Sequence, residues 1–145
     1  MSVSPSGAPG SPDSATSADF AARCDTIEEA YEFFLAYASQ GLPSDQGSET
    51  GRQVREYLRR CDAALTGIAE AVMAFVERAG LDPQPYRAFA DVIERDARDA
   101  RAAVRLVLTQ PAVGSQLIDN LNASIHVRAL LTDLFLIDEA LKPYK

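Results

Sequence analysis

The feature that most constrains the fold is a series of apolar side chains recurring at alternating intervals of four and three residues in mid-chain. The series comprises Val54, Leu58, Cys61, Leu65, Ile68, Val72, Phe75 and Ala79. This spacing puts all members on one face of an α-helix, and its length is typical of a long helix packed nearly parallel to its neighbours. Ser48 is placed to cap the helix and Gly80 to end it, so the pattern predicts a single helix over 48–79.

Three further helices are predicted from apolar periodicity and capping signals. The first covers 25–40, which opens with a capping-box pattern and ends before Gly41. The third covers 82–109, with Pro83 at the first helical position, and the fourth covers 115–141. Because short loops between long helices make sequential neighbours antiparallel, we expect an all-α fold, an up-down-up-down four-helix bundle.

The first 22 residues differ in composition from the rest of the chain, being rich in Ser, Pro, Gly and Ala. A segment of this kind buries too little apolar surface to offset the entropy lost on ordering. We therefore expect a disordered tail over residues 1–22 and a helical bundle domain over residues 23–145. The N-terminus lacks the pattern of a secretory signal and the apolar runs are short, so a cytoplasmic location is expected.

The charge balance disfavours nucleic acid as a partner, and the shortness of the apolar runs disfavours a membrane. The formal net charge is −7, and an acidic protein repels a phosphate backbone unless its basic side chains are concentrated on one face. The densest basic group, within residues 94–105, is interleaved with acidic side chains that nearly cancel it. No nucleic-acid partner is therefore expected.

Residues able to support catalysis or bind metal are few. His126 is the only histidine, so the ligand sets of di-iron and hemerythrin bundles cannot be completed, and the Cys/His spacing of a zinc site is missing. Cys61 belongs to the apolar series and is expected in the core, whereas Cys24, just before the first predicted helix, is the more reactive of the two. We expect no metal, no cofactor and no catalytic set, which leaves an enzyme working through His126 as the third hypothesis.

The first and fourth predicted helices carry more apolar residues than one small core requires, and large exposed apolar patches are rare on soluble monomers. The leading hypothesis is therefore a non-catalytic helical interaction protein, that is, an accessory, adaptor or regulatory subunit. It would form a homodimer and associate with a larger protein partner. The expected interface comprises Phe33, Leu35, Leu130, Leu134, Phe135 and Leu136.

The alternative is a sensory bundle that binds a small molecule between its helices. Aromatic residues would line the pocket, and an amide or imidazole would anchor the ligand. The expected pocket residues are Tyr31, Tyr86, Phe89, Asn122 and His126.

Overall fold

The computed structural model describes the backbone of residues 12–145 and the side chains of residues 19–145. Over that part of the chain it contains six α-helices, one 3-10 turn and no strand, which confirms the all-α class. The helices are α1 Pro12–Ala38, α2 Glu49–Leu65, α3 Ile68–Arg78, α4 Pro83–Leu108, α5 Ser115–Ala123 and α6 Ile125–Leu141, followed by the turn Lys142–Tyr144. None of the helices in this region is both long enough and apolar enough to span a bilayer.

The apolar series that predicts the longest helix forms the centre of the core. Its first seven members, from Val54 to Phe75, are all buried, and only Ala79, just past the end of α3, is exposed. The helices α2 and α3 that carry the series contact α1 on one side and α4 on the other. α5 packs against α1, and α6 packs against α4. The predicted third helix, 82–109, is one residue longer at each end than α4.

The prediction of one helix over 48–79 is wrong, because the structure divides this segment at Thr66 and Gly67. Thr66 adopts an extended conformation, and its hydroxyl donates a hydrogen bond to the carbonyl of Asp62 at 2.9 Å. Gly67 has a φ of 83°, the left-handed conformation that commonly ends a helix. Leu65 and Ile68, on either side of the break, are both buried, so the apolar spacing continues across it. Periodicity alone therefore does not reveal the break.

The prediction of one helix over 115–141 is also wrong. The segment divides at Ser124, whose side-chain oxygen accepts a hydrogen bond from the backbone amide of His126 at 3.2 Å. This is the geometry of an N-cap, so Ser124 ends α5 and starts α6.

The predicted tail over residues 1–22 is wrong for residues 12–22, because they belong to a first helix that is longer than 25–40 at its start. Residues 1–11 lie outside the described part of the chain, but α1 begins at Pro12. Phe20 is fully buried, with its ring centroid 6.1 Å from that of Phe75, and Arg23 donates a hydrogen bond to the carbonyl of Ala64 at 3.0 Å. These long-range contacts stabilise a segment whose composition alone favours disorder.

We predict that Gly67→Ala lowers the free energy of unfolding by about 1 kcal/mol, because an L side chain disfavours a positive φ. The nearest atom to an added Cβ lies 3.5 Å away, so the cost comes from the backbone and not from a clash. Gly67→Asn is the matched control and should lose less, since asparagine tolerates this conformation. Urea denaturation followed by circular dichroism measures both; an alanine variant more stable than the parent would favour an unbroken helix.

Candidate interaction surfaces

Of the predicted pocket residues, Tyr31 lines a cavity that the other four do not line. Tyr31 lines a small apolar cavity of about 20 Å³ beside Cys61 and Leu130, room for about one water molecule. Tyr86 and Phe89 are half-buried on α4 and do not line this cavity. The cavity is too small for a metabolite, so it gives no support to the small-molecule hypothesis.

The two predicted polar anchors, Asn122 and His126, are not part of the cavity lining. His126 is exposed at the start of α6. Asn122 is buried on α5, and neither its amide nitrogen nor its amide oxygen finds a hydrogen-bond partner within residues 19–145. Neither residue lines the cavity that Tyr31 borders.

Both cysteines are buried and are not activated. Burial raises the pKa of Cys61 to about 12, and Asp62 nearby adds to the effect. Burial also raises the pKa of Cys24 to about 12, with further contributions from Asp138 and Glu28. The expectation that Cys24 is the more reactive thiol is not supported, because both are protonated at neutral pH and shielded from solvent.

The most extensive polar network joins the loop after α1 to the loop after α4, and we call it the loop clasp (Tyr37, Asp45, Arg55, Val113 and Ser115). Arg55 Nε lies 2.6 Å from Asp45 Oδ2, while Asp45 Oδ1 accepts a hydrogen bond from the amide of Val113 at 2.7 Å. The hydroxyl of Tyr37 donates to the carbonyl of Val113 at 2.7 Å, and that of Ser115 donates to the carbonyl of Tyr37 at 2.6 Å. The clasp therefore connects α1, α2 and α5 through polar groups that form hydrogen bonds with one another.

Electrostatics hold Asp45 in its charged form within the clasp. Burial by itself raises the pKa of this carboxyl. Hydrogen bonds from Arg55 and Val113, together with the positive charge of Arg55, outweigh burial, so the pKa lies below its usual value. Arg55 also donates to the carbonyls of Leu108 at 3.0 Å and Gln110 at 2.8 Å. With both charged groups fully engaged, the clasp has a structural role and offers no free acid or base.

Gly51, in the first turn of α2, lets the clasp close. A Cβ at this position would lie 1.7 Å from the carbonyl oxygen of Asp45, so Gly51→Ala must displace backbone. We predict a loss of about 2–3 kcal/mol in unfolding free energy, as for other overpacked sites. Thr50→Ala, one residue earlier, is the control and should change stability far less. Guanidinium denaturation tests the pair; equal stability of both variants would contradict the close approach.

A second polar feature, a pair of carboxyl groups, lies between α4 and α6. Asp133 is buried on α6, and its Oδ2 finds no hydrogen-bond partner among residues 19–145. Burial raises the pKa of Asp133 to about 7, and a hydrogen bond and charge from Asp96 on α4 add to this. The folded protein therefore holds a proton at this pair that the unfolded chain releases at a lower pH.

We predict that Asp133 makes stability depend on pH. Its folded pKa of about 7 lies above the unfolded value, so its contribution is fully present below about pH 4 and is lost as pH rises toward 7. Asp133→Asn should therefore be more stable than the parent at pH 8 by about 1–3 kcal/mol, with the difference shrinking toward pH 4. Asp99→Asn, on the exposed side of α4, is the control. A constant difference between Asp133→Asn and the parent across this range would contradict the raised pKa.

The residues of the predicted interface divide between core and surface. Leu130 and Leu134 are buried, which corrects their assignment to an interface, because they share the inward face of α6 with Ile137. Phe33 is half-buried, and its ring stacks on Tyr57 with centroids 4.4 Å apart. The three remaining residues are exposed: Leu35 at 48%, Phe135 at 56% and Leu136 at 59%.

Phe135 and Leu136 belong to a continuous exposed surface that we call the outer face of α6. Its residues recur every three or four positions: Ile125, Arg128, Thr132, Phe135, Leu136 and Glu139. Ile125, at 73% exposure, was not among the predicted interface residues, because an unbroken helix over 115–141 puts it on the inward face with Leu121, which is buried. The surface has three large apolar side chains, with one basic residue toward its start and one acidic residue toward its end.

Comparison of the chain with protein-family models, curated proteins and solved structures finds no match.

Proposed function

We propose that the chain is a non-catalytic helical interaction protein that pairs with a second copy of itself through the outer face of α6. The observation that carries the proposal is the exposure of Phe135, Leu136 and Ile125 on one side of one helix. Exposure of these apolar side chains to water is unfavourable. Burying them on association stabilises the dimer by about 25 cal/mol per Å² of apolar area. Large apolar side chains exposed on one surface are typical of interaction sites.

The charge pattern of this surface favours a second copy as the partner. A two-fold axis passing midway between Arg128 and Glu139 pairs two α6 helices in opposite directions. Arg128 then faces Glu139 of the partner subunit, and the same contact repeats on the other side of the axis. Phe135 and Leu136 lie close to the axis, where the two copies bury them against each other. The interface is small, so we expect a dimer that dissociates at micromolar concentrations.

We also propose that the six helices act as four rods of an up-down-up-down bundle, with α2–α3 and α5–α6 each serving as one broken rod. Support comes from the two ends of the molecule. Ser115, which starts α5, bonds to Tyr37 near the end of α1. Lys145, after α6, lies over the ring of Phe20 in the first half of α1, with Nζ 5.7 Å from the ring centroid. The α5–α6 rod thus runs opposite to α1.

A cytoplasmic location is part of the same proposal. Cys24 and Cys61 are both free thiols and both buried. Free cysteines are typical of proteins in reducing compartments.

We predict that Phe135→Asp raises the dimer dissociation constant by at least about tenfold, which corresponds to about 1.4 kcal/mol. The monomer should stay folded, because Phe135 does not belong to the core. Phe135→Leu keeps the surface apolar and should dimerise nearly as well as the parent. Leu134→Asp, at the adjacent core position, should unfold the monomer instead. Sedimentation equilibrium measures association, and circular dichroism measures folding.

Exchanging the two charges tests the proposed pairing of Arg128 with Glu139 of the partner subunit. Arg128→Glu and Glu139→Arg should each weaken dimerisation, because each puts like charges opposite one another. The double variant Arg128→Glu with Glu139→Arg should restore it. A parent protein that remains monomeric at millimolar concentration would refute the proposed dimer, and an unrestored double variant would refute the two-fold arrangement.

A further inference from the structure

A groove of about 840 Å³ lies between α3 and α4, and no residue of α6 lines it. Its apolar part is made by Ala69, Met73 and Ala74 from α3, with Leu81 and Ala90 from the next turn and α4. Alanine leaves little side chain above the helix backbone, so another helix can approach closely. Methionine adapts its shape to different apolar partners.

The sides of this groove are acidic. Glu70 and Glu77 border it on α3, and Asp91 and Glu94 border it on α4. Glu94 pairs with Arg98 at 3.3 Å, whereas the other three carboxylates form no ion pair within residues 19–145.

Two arginines also line the groove, but they do not neutralise it. Arg101 is held by Asp62 at 3.2 Å, which leaves Arg87 as the basic side chain not engaged in an ion pair among the described lining residues. The groove therefore combines an apolar floor with a surplus of negative charge.

We infer that this groove binds an amphipathic helix of a partner protein, one that carries apolar side chains along one face and Lys or Arg on both flanks. Helices bind such grooves through residues at i, i+3, i+4 and i+7, which cover about two turns. α3 has 11 residues and is about 16 Å long, so the groove accommodates about this length of helix. Basic flanks would pair with Glu70, Glu77 and Asp91, which accelerates association and selects against acidic partners.

The chain itself supplies no suitable occupant. Residues 1–11 contain neither lysine nor arginine, so they cannot complement the acidic sides of the groove. A second copy is disfavoured because its exposed apolar helix surface, the outer face of α6, carries a single basic residue, Arg128, to set against these carboxylates. This inference extends the interaction role proposed above to a second surface, and it does not require the outer face of α6.

The experiment uses a reporter that the sequence provides. The chain has two methionines, Met1 and Met73, so methyl labelling of methionine gives a signal from the groove itself. The probe is a synthetic helical peptide of about 14 residues with leucine at i, i+3, i+4 and i+7 and lysine on both flanks. We expect saturable binding with a shift of the Met73 methyl signal and loss of affinity at high salt. The same peptide with glutamate in place of lysine should not bind.

Two double variants with reversed charges distinguish an effect of the groove carboxylates from an effect of the protein's net charge. Glu70→Lys with Asp91→Lys should reduce peptide affinity by at least about tenfold. Glu29→Lys with Glu32→Lys changes the net charge by the same amount, but at exposed positions of α1. This control should bind the peptide with an affinity within about twofold of the parent's. Ala74→Leu, which fills the floor, should also reduce binding.

Four outcomes would overturn the inference: no peptide binding at low salt, binding without a Met73 shift, equal losses for both charge-reversed pairs, or a Met73 shift driven by protein concentration alone. The last would identify a second copy as the occupant. Because Phe135→Asp should bind the peptide as the parent does, failure of the groove and failure of the dimer are distinguishable.

Discussion

Burial of the apolar face of α2 and α3 between α1 and α4 is the interaction on which the rest of the structure depends. Leu58, Ile68, Val72 and Phe75 are at most 3% exposed, and each large apolar side chain contributes about 1.5–3 kcal/mol when fully buried. The face stays continuous although the helix does not, because the three-residue step from Leu65 to Ile68 fits both a helix and this break. Packing therefore sets where the helices lie, and local backbone signals set where they end.

That division explains what could be predicted from sequence. Periodicity identified the all-α class, the buried series and the bounds of α4 to within one residue. It missed both helix breaks, although Thr66-Gly67 and Ser124 are recognisable cap residues. An uninterrupted apolar pattern outweighed those cap signals in the prediction, yet such a pattern carries no information on whether the backbone hydrogen bonds continue.

The remaining errors arose where tertiary contacts outweigh composition. The segment before Asp25 is poor in apolar residues, but one of them, Phe20, is fully buried against Phe75. On α6, the cluster of leucines suggested more apolar side chains than the core requires, and the excess was assigned to an interface. Helical phase divides that cluster, with Leu134 directed into the core and Phe135 directed outward. The candidate surface could be predicted only in part, since adjacent residues with the same chemistry face opposite environments.

The break at Gly67 limits the length of the groove beside it. α3 is attached at both ends through glycines in left-handed conformations, Gly67 with φ 83° and Gly80 with φ 71°. Because residues other than glycine rarely adopt this conformation, the two positions limit α3 to the eleven residues between them. The two backbone positions that end α3 therefore also bound the groove on that side, where its lining runs from Thr66 and Gly67 to Gly80 and Leu81.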